Sequence, residues 1–329
     1  MKRLFFAIAL VAVSYLSMSA CATDSKKESN SESMSDCATA KPEAPERQGW
    51  RGGIPLYGDV ESVTITNYQL EDKFGEVVRG DIESRNKYYF NEAGDVIEGA
   101  QYNSYGSLDR KYIYKYDASG NMIEKSTYNS DGSLLGKRIY KYDSAGNMIE
   151  EASYWSDGSL DDKYTYKYDS SGNLIESARY ESDGSLGCKW VYKYDSSGNM
   201  IEWFFCNSNG SLRSKTIHKY DALGNEIEWA RYESDGSLDC MWVYKYDSSG
   251  NVIEMAEYKS DGSLGSKCTG KYDSSGNVIE KTEYNSDGSL ERKYTGKYDS
   301  LGNLIETNIY VGEALIPQSQ TVYAITYRN

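Results

Sequence analysis

The sequence predicts an all-β fold, in which tandem 26-residue β-hairpin repeats form a long antiparallel meander that is coiled into an open spiral. The triplet Lys-Tyr-Asp recurs with a strict period of 26 residues. Its copies begin at Lys115, Lys141, Lys167, Lys193, Lys219, Lys245, Lys271 and Lys297. Positions 56–316 contain no proline, the residue least compatible with a β ladder. A fixed period of this length is typical of arrays whose units stack on their neighbours.

Each repeat contains two turn sequences, as in residues 169–173 (Asp-Ser-Ser-Gly-Asn) and 181–185 (Glu-Ser-Asp-Gly-Ser). The Asp side chain can accept hydrogen bonds from the turn backbone, and Gly can take the positive φ that closes a type I turn with a Gly bulge. Two hairpin turns per unit favour an antiparallel meander over a parallel β-solenoid, which also suits this period. The predicted turn residues are Asp117, Gly120, Asp143, Gly146, Asp169, Gly172, Asp195, Gly198, Asp221, Gly224, Asp247, Gly250, Asp273, Gly276, Asp299 and Gly302.

The turns also predict a register and two unlike faces. Simple pairing across them places Tyr166 opposite Glu176 and Glu176 opposite Trp190. Because side chains alternate with period two, one face is then aromatic and the other mostly polar. A carboxylate among the rings needs hydrogen-bonding partners, so we expect a Glu–Tyr ladder; the alternative is a row of acceptors and rings that binds sugar hydroxyls. An exposed aromatic face of this size predicts that the sheet coils to cover it.

The 329 residues divide into five predicted parts. Residues 1–21 read as a lipoprotein signal peptide: Lys2 and Arg3 precede an apolar stretch, and Met18-Ser19-Ala20-Cys21 resembles a lipobox in which Cys21 is the lipid anchor. The alternative is ordinary cleavage, which leaves a secreted protein. Residues 22–55 are predicted to be a disordered tether. Residues 56–88 form an N-terminal β cap, 89–310 the repeat array and 311–329 a C-terminal capping strand.

Composition and motifs exclude several kinds of site. A net charge of −14 argues against nucleic-acid binding, which relies on Lys and Arg to neutralise phosphates. The sequence has no zinc-ligand spacing, phosphate-binding Gly loop or nucleophile elbow. The Asp-Gly turns supply too few oxygens for a calcium ion, because their carboxylates are used in the turn itself. We therefore predict no metal, no cofactor and no catalytic residues.

One stretch departs from the repeat by its aromatic residues. The candidate binding residues are Trp190, Trp203, Phe204, Phe205, His218, Trp229 and Trp242. The predicted register places Trp203 and Trp229 on the otherwise polar face, where exposed rings would anchor a glycan or a protein partner. The same residues also suit a drifting repeat in which they only favour β structure. His218 is predicted to be a packing substitute for a ladder tyrosine.

Two further positions carry local predictions. The same register places Cys188 opposite Cys206, which makes a cross-strand disulfide feasible in an oxidising compartment. Gly270 and Gly296 stand where earlier copies have tyrosine. The loss of two rings allows either a bend in the sheet or space for a ligand, and the sequence does not decide between them.

The tandem pattern Tyr-Asp-x-x-Gly-Asn-x-Ile/Leu-Glu resembles the YD (Rhs-type) repeat of bacterial wall-associated and toxin-shell proteins. It is still more similar to the short lipoproteins of Bacteroidetes-like bacteria that carry such repeats behind a lipobox. The resemblance covers about residues 87–310. It implies a β-sheet spiral, which in the large relatives forms a hollow shell. This chain differs from those relatives in its strict period and in the Asn that follows the turn Gly.

Together these features predict a non-catalytic lipoprotein of the bacterial cell envelope. Its lipid would attach it to a membrane, most simply the outer membrane, with the array facing the periplasm or the exterior. The array would bind a glycan or a protein partner. The alternative is a structural scaffold of the envelope without a discrete site, and an enzyme or enzyme inhibitor is the least favoured reading.

Overall fold

A computed structural model of the protein describes residues 55–328, and all regular structure in that range is β. Twenty strands follow one another as antiparallel neighbours. They are β1 (Val60–Lys73), β2 (Glu76–Phe90), β3 (Val96–Tyr102), β4 (Leu108–Tyr116), β5 (Met122–Asn129), β6 (Leu134–Tyr142), β7 (Met148–Trp155), β8 (Leu160–Tyr168), β9 (Leu174–Glu181), β10 (Leu186–Tyr194), β11 (Met200–Asn207), β12 (Leu212–Tyr220), β13 (Glu226–Glu233), β14 (Leu238–Tyr246), β15 (Val252–Lys259), β16 (Leu264–Tyr272), β17 (Val278–Asn285), β18 (Leu290–Tyr298), β19 (Leu304–Val311) and β20 (Ile316–Tyr327). The predicted signal peptide with Cys21, and the tether up to residue 54, lie outside the described residues.

The last strand pairs with the first, so the sheet closes into a single β-barrel. Val63 of β1 lies opposite Ile325 of β20, and Ile65 lies opposite Tyr323. The prediction of a hairpin meander is confirmed, but the prediction of an open spiral is wrong. An open sheet would leave the backbone groups of β1 and β20 unpaired at two edges, and pairing the two strands removes both.

The turns at one end of the barrel close through the predicted Asp and Gly. In the turn after β8, the Asp169 amide donates to the Asn173 carbonyl at 2.9 Å, and the Gly172 amide donates to the Asp169 carbonyl at 3.1 Å. Gly172 has a φ of 84°, which an L-residue rarely adopts. The Asp169 carboxylate accepts the amides of Ser171 and Asn173. The Asn173 side chain donates a further hydrogen bond to this carboxylate. That bond and the bonds from the backbone amides lower the pKa of Asp169.

A β-bulge follows each kind of turn and changes the predicted register. Tyr168 lies opposite Leu174, but Lys167 lies opposite Glu176, so Ile175 is an extra residue on β9. In the next strand pair, β9–β10, Leu186 lies opposite Tyr180 and Cys188 lies opposite Arg179, so Gly187 is an extra residue on β10. Each bulge shifts the alternation of side chains by one residue. The predicted facing of Tyr166 and Glu176 is therefore wrong, because Tyr166 lies opposite Ser177.

The outer face carries lysine–glutamate pairs where a Glu–Tyr ladder was expected. Lys167 Nζ lies 2.8 Å from Glu176 Oε1, and Lys189 contacts the second oxygen of the same carboxylate. Hydrogen bonds from these two lysines lower the pKa of Glu176. The first kind of pair recurs at Lys115–Glu124, Lys141–Glu150, Lys167–Glu176, Lys193–Glu202, Lys219–Glu228, Lys245–Glu254, Lys271–Glu280 and Lys297–Glu306. Because a Glu is held by a lysine of the neighbouring strand in each copy, ion pairing on the outside replaces the predicted ladder.

The inner face holds a hydrophobic core at one end of the barrel. Val63, Tyr114 and Tyr140 are buried in that core. The segment before β1 packs onto it through Leu56, which is 1% exposed. Asn303, which directly precedes β19, also holds this segment, because its side-chain oxygen accepts a hydrogen bond of 2.6 Å from the Tyr57 amide. The segment that precedes β1 therefore covers part of the barrel end that bears the Asp-x-x-Gly turns.

Among the described residues, no helix is present that has the length and apolar character needed to cross a membrane.

Candidate functional site

The inner faces of β10–β14 carry a continuous patch of rings, which we call the aromatic wall. It consists of Trp190, Tyr192, Trp203, Phe205, His218, Trp229, Trp242 and Tyr244. Across the strands, Trp190 lies opposite Phe205, Tyr192 opposite Trp203, and Trp229 between His218 and Trp242. The bulges bring these side chains to one face, although the simple register had separated Trp203 and Trp229 from the other rings.

Phe204 is the one candidate aromatic that the structure leaves outside the wall. It pairs with Val191 on the outer face. The Lys193 and Lys215 ammonium groups lie 4.8 and 5.5 Å from the centre of its ring. Phe204 therefore takes part in the outer layer of charges and cannot contact a ligand held by the wall.

Ring stacking and one hydrogen bond fix five of the eight rings of the wall. Trp190 and Phe205 are stacked with centroids 5.2 Å apart and planes inclined by 6°. Trp229 and Trp242 are stacked with centroids 6.2 Å apart. The Trp229 Nε1–H also donates a hydrogen bond of 2.9 Å to the hydroxyl of Tyr244. Such pairs are worth more than their buried area alone, so these rings form a preformed apolar surface.

A buried histidine–glutamate pair lies at the edge of the wall. His218 Nδ1 contacts Glu226 Oε1, and both side chains are 10% exposed. The pKa of Tyr244 is raised, first by burial and then by the charge of Glu226. Sequence reasoning missed Glu226. The available signal was its position, because the equivalent residue in the other copies is Val, Met or Leu.

Charged pairs border the wall along the same inner face. Arg179 Nε lies 3.2 Å from Asp162 Oδ2, and its Nη1 lies 2.7 Å from Glu181 Oε1. On the other side, Arg231 contacts Asp239. These groups are only partly exposed, and they present fixed donors and acceptors beside the rings. The combination of an apolar surface with a few oriented polar groups is typical of ligand sites.

The two glycines that replace tyrosine are closely approached by the neighbouring backbone. A Cβ atom at Gly270 would lie 2.9 Å from the Val252 carbonyl oxygen and 3.2 Å from the Tyr272 hydroxyl. A Cβ at Gly296 would lie equally close to the Val278 carbonyl oxygen. The backbone and the next tyrosine thus approach both positions closely, which favours the structural alternative over the ligand.

The cysteine positions follow from the same bulges. Cys188 lies opposite Asn207 on the inner face, and Cys206 lies opposite Lys189 on the outer face. Side chains that point to opposite faces of a sheet cannot be bridged without moving the backbone. The predicted pair is therefore not formed, and both residues are free thiols.

Across residues 55–328, no group of three or more His, Cys, Asp or Glu side chains is arranged to hold a metal ion.

No protein-family model and no curated protein matches the chain. Solved structures that resemble it include TcdB2–TccC3 without its hypervariable C-terminal region, with 16% identity over 74% of this chain and a TM-score of 0.31. A porin-like protein from Bacteroides uniformis has 8% identity, covers 81% of this chain and 98% of its own length, and gives a TM-score of 0.37. A protein of unknown function from Bacteroides fragilis has 19% identity over 42% of this chain and 86% of its own, with a TM-score of 0.19. The chain spans 15% of the TcdB2–TccC3 chain.

Proposed function

We propose that the protein is a non-catalytic binding protein of the bacterial cell envelope, and that its barrel holds a glycan against the aromatic wall. The observation that carries this proposal is the common face of the rings. Trp190, Trp203, Phe205, His218, Trp229 and Trp242 all line the inside of five consecutive strands. Indole rings stack on the C–H faces of sugars, while the neighbouring charged pairs can bind hydroxyl groups.

The size of the barrel supports a ligand inside it. Twenty strands spaced by about 4.8 Å give a perimeter of roughly 96 Å. Barrels of about 16–18 strands enclose a water-filled channel, and barrels of about 22 strands hold a plug. A twenty-stranded barrel lies between these two, so an oligosaccharide is of a suitable size for its interior.

The envelope location rests on the sequence. The Met18-Ser19-Ala20-Cys21 segment would attach the chain to a membrane through a lipid on Cys21, with residues 22–55 as the tether. The tandem Tyr-Asp repeats suggest kinship with YD (Rhs-type) proteins and with the short repeat-bearing lipoproteins. The ion pairs that ring the outer face suit contact with water. A Cys21→Ala variant should lose incorporation of radiolabelled fatty acid and leave the membrane fraction.

Glycan-array binding by the full chain tests the proposal. The double variant Trp203→Ala, Trp229→Ala should lose at least tenfold in affinity for whichever glycan the natural chain binds, because both rings lie on the inner face. Phe204→Ala is the matched control, since this ring is adjacent in sequence but lies outside. Full binding by the double variant, or loss with the control alone, would contradict the proposal.

The second candidate is a structural protein of the envelope. It is favoured by the Lys–Glu pair and the turn geometry that recur in every copy, because these features specify a rigid cylinder and require no site. A silent glycan array, together with an envelope defect on deletion of the gene, would favour this role over recognition.

A further inference from the structure

We propose that strand β12 carries a subsite for one sugar ring, built from Thr216 and His218, with the indole of Trp203 as its lid. The inference deepens the proposed function and rests on it. It identifies the polar groups that would bind the ligand within the aromatic wall.

Three inner positions around β12 depart together from the repeat. Thr216 stands where Tyr164 and Trp190 stand in the two preceding copies, and His218 stands where Tyr192 stands. Glu226 replaces a residue that is apolar in every other copy. A ring, a phenol and an apolar side chain are thus exchanged for three polar groups at adjacent places on the inner face.

Two of these polar groups lack a hydrogen-bonding partner. Thr216 is 1% exposed, and its Oγ1 makes no hydrogen bond within the described chain. His218 uses Nδ1 to contact Glu226, while its buried Nε2 is also without a partner. Buried polar atoms are nearly always paired in native proteins, so each exception calls for a specific explanation. Two exceptions lie two residues apart on one strand and face the same interior.

The chemistry of the two atoms selects a hydroxyl-bearing ligand. A carboxylate can only accept, so His218 Nδ1 donates when it faces an ionised Glu226, and the Nε2 of the ring is left to accept from, or donate to, a hydroxyl according to its own protonation. The Thr216 hydroxyl can donate or accept. Residues two apart on a strand are separated by roughly 6.6 Å. A pyranose ring can place one hydroxyl at each atom and its C–H face against an indole.

The indoles on either side of β12 decide how the ligand enters. Trp203 lies opposite Thr216 on β11, and Trp229 lies opposite His218 on β13. Trp229 is held by its stack on Trp242 and its bond to Tyr244. Trp203 has no hydrogen bond and no ring stack among residues 55–328. Because both polar atoms are buried, a ligand can reach them only if a neighbouring side chain moves, and we assign this movement to the indole of Trp203.

The test uses variants that restore the repeat, which are expected to fold. The double variant His218→Tyr, Glu226→Met carries the residues of the preceding copy, and Thr216→Val removes only the hydroxyl. Calorimetric titrations with maltotriose, cellotriose and chitotriose establish which trisaccharide the natural chain binds best. For that trisaccharide, we expect at least a tenfold loss with the double variant and several-fold with Thr216→Val, without a fall in melting temperature. Binding should also change the tryptophan emission, and Trp203→Phe should reduce that change.

The outcomes separate the two levels of the proposal. One outcome is that the double variant Trp203→Ala, Trp229→Ala abolishes binding while the double variant His218→Tyr, Glu226→Met and the variant Thr216→Val bind as the natural chain does. In that case the wall binds glycans and the proposed subsite is wrong. An unchanged emission signal in Trp203→Phe overturns the lid. If the natural chain binds neither the trisaccharides nor any glycan on the array, the subsite and the proposed function fail together.

Discussion

The hydroxyl of Tyr194 donates a hydrogen bond of 2.8 Å to the backbone carbonyl of Leu174, twenty residues earlier in the chain. The bond joins the end of β10 to the start of β9, the strand that lies beside it in the sheet. The same bond is made by the tyrosine of every Lys-Tyr-Asp triplet, at Tyr116, Tyr142, Tyr168, Tyr194, Tyr220, Tyr246, Tyr272 and Tyr298. This row of phenols ties neighbouring strands of the array together on the inside of the barrel.

Removal of one such hydroxyl should weaken the barrel by a measurable amount. Tyr194→Phe keeps the ring but leaves the Leu174 carbonyl without this donor, so we expect a loss of about 1 kcal/mol in the free energy of unfolding. Urea denaturation followed by fluorescence measures it. Tyr180→Phe is the control, because that ring lies on the outer face under Lys163 and its hydroxyl makes no hydrogen bond within residues 55–328. Equal effects of the two substitutions would show that the bond contributes nothing.

The same phenols predict a loss of stability in alkali. Burial is the main cause that raises the pKa of Tyr142, Tyr194 and Tyr272 to about 12. In the unfolded chain a tyrosine titrates near pH 10, at about its ordinary value. Because the folded-state pKa is the higher one, the contribution is complete below about pH 10 and is lost as the pH rises through about 12. Melting temperatures that stay constant up to pH 12, or phenolate absorbance that appears at its ordinary pH in the folded protein, would contradict this.

The regular part of the fold could be predicted because its signals are local. Each turn carries its own Asp and Gly at fixed offsets, so strands and connections follow from neighbouring residues. The bulges could not be predicted in this way, because Ile175 and Gly187 are not turn residues. A signal existed in the pair Ile175–Glu176, since two successive outward side chains break the alternation that a regular strand requires.

Closure of the barrel and the composition of the site depend on distant residues. Residues 60–73 and 316–327 lack the repeat motif, and nothing local indicates that they pair with each other. The unusual rings of the wall could be recognised because they differ from their copies. Their common face required the bulges, however, and the partnership of Glu226 with His218 required the contact between them.

The cysteines give a direct check of the corrected register. With Cys188 on the inner face and Cys206 on the outer face, both should be fully alkylated by iodoacetamide when the protein is unfolded without reductant. Burial raises the pKa of Cys188, so its alkylation in the folded protein should be slower than in the unfolded chain. Peptide mapping by mass spectrometry reports each site. A linked pair of peptides that separates only after reduction would restore the simple register.

An engineered crosslink distinguishes the closed barrel from an open array. Thr64 of β1 and Ala324 of β20 lie directly opposite each other, a separation of roughly 5 Å between Cβ atoms that suits a disulfide after small adjustments. The variant Thr64→Cys, Ala324→Cys should therefore form an intramolecular bond on mild oxidation and unfold at a higher temperature. Thr64→Cys, Val322→Cys is the control, since the diagonal separation of about 7–8 Å is too long. In an open spiral the two ends are far apart, so only intermolecular bonds, or none, would form in either variant. An intramolecular crosslink in the first variant alone requires that the strands at the two ends of the chain meet.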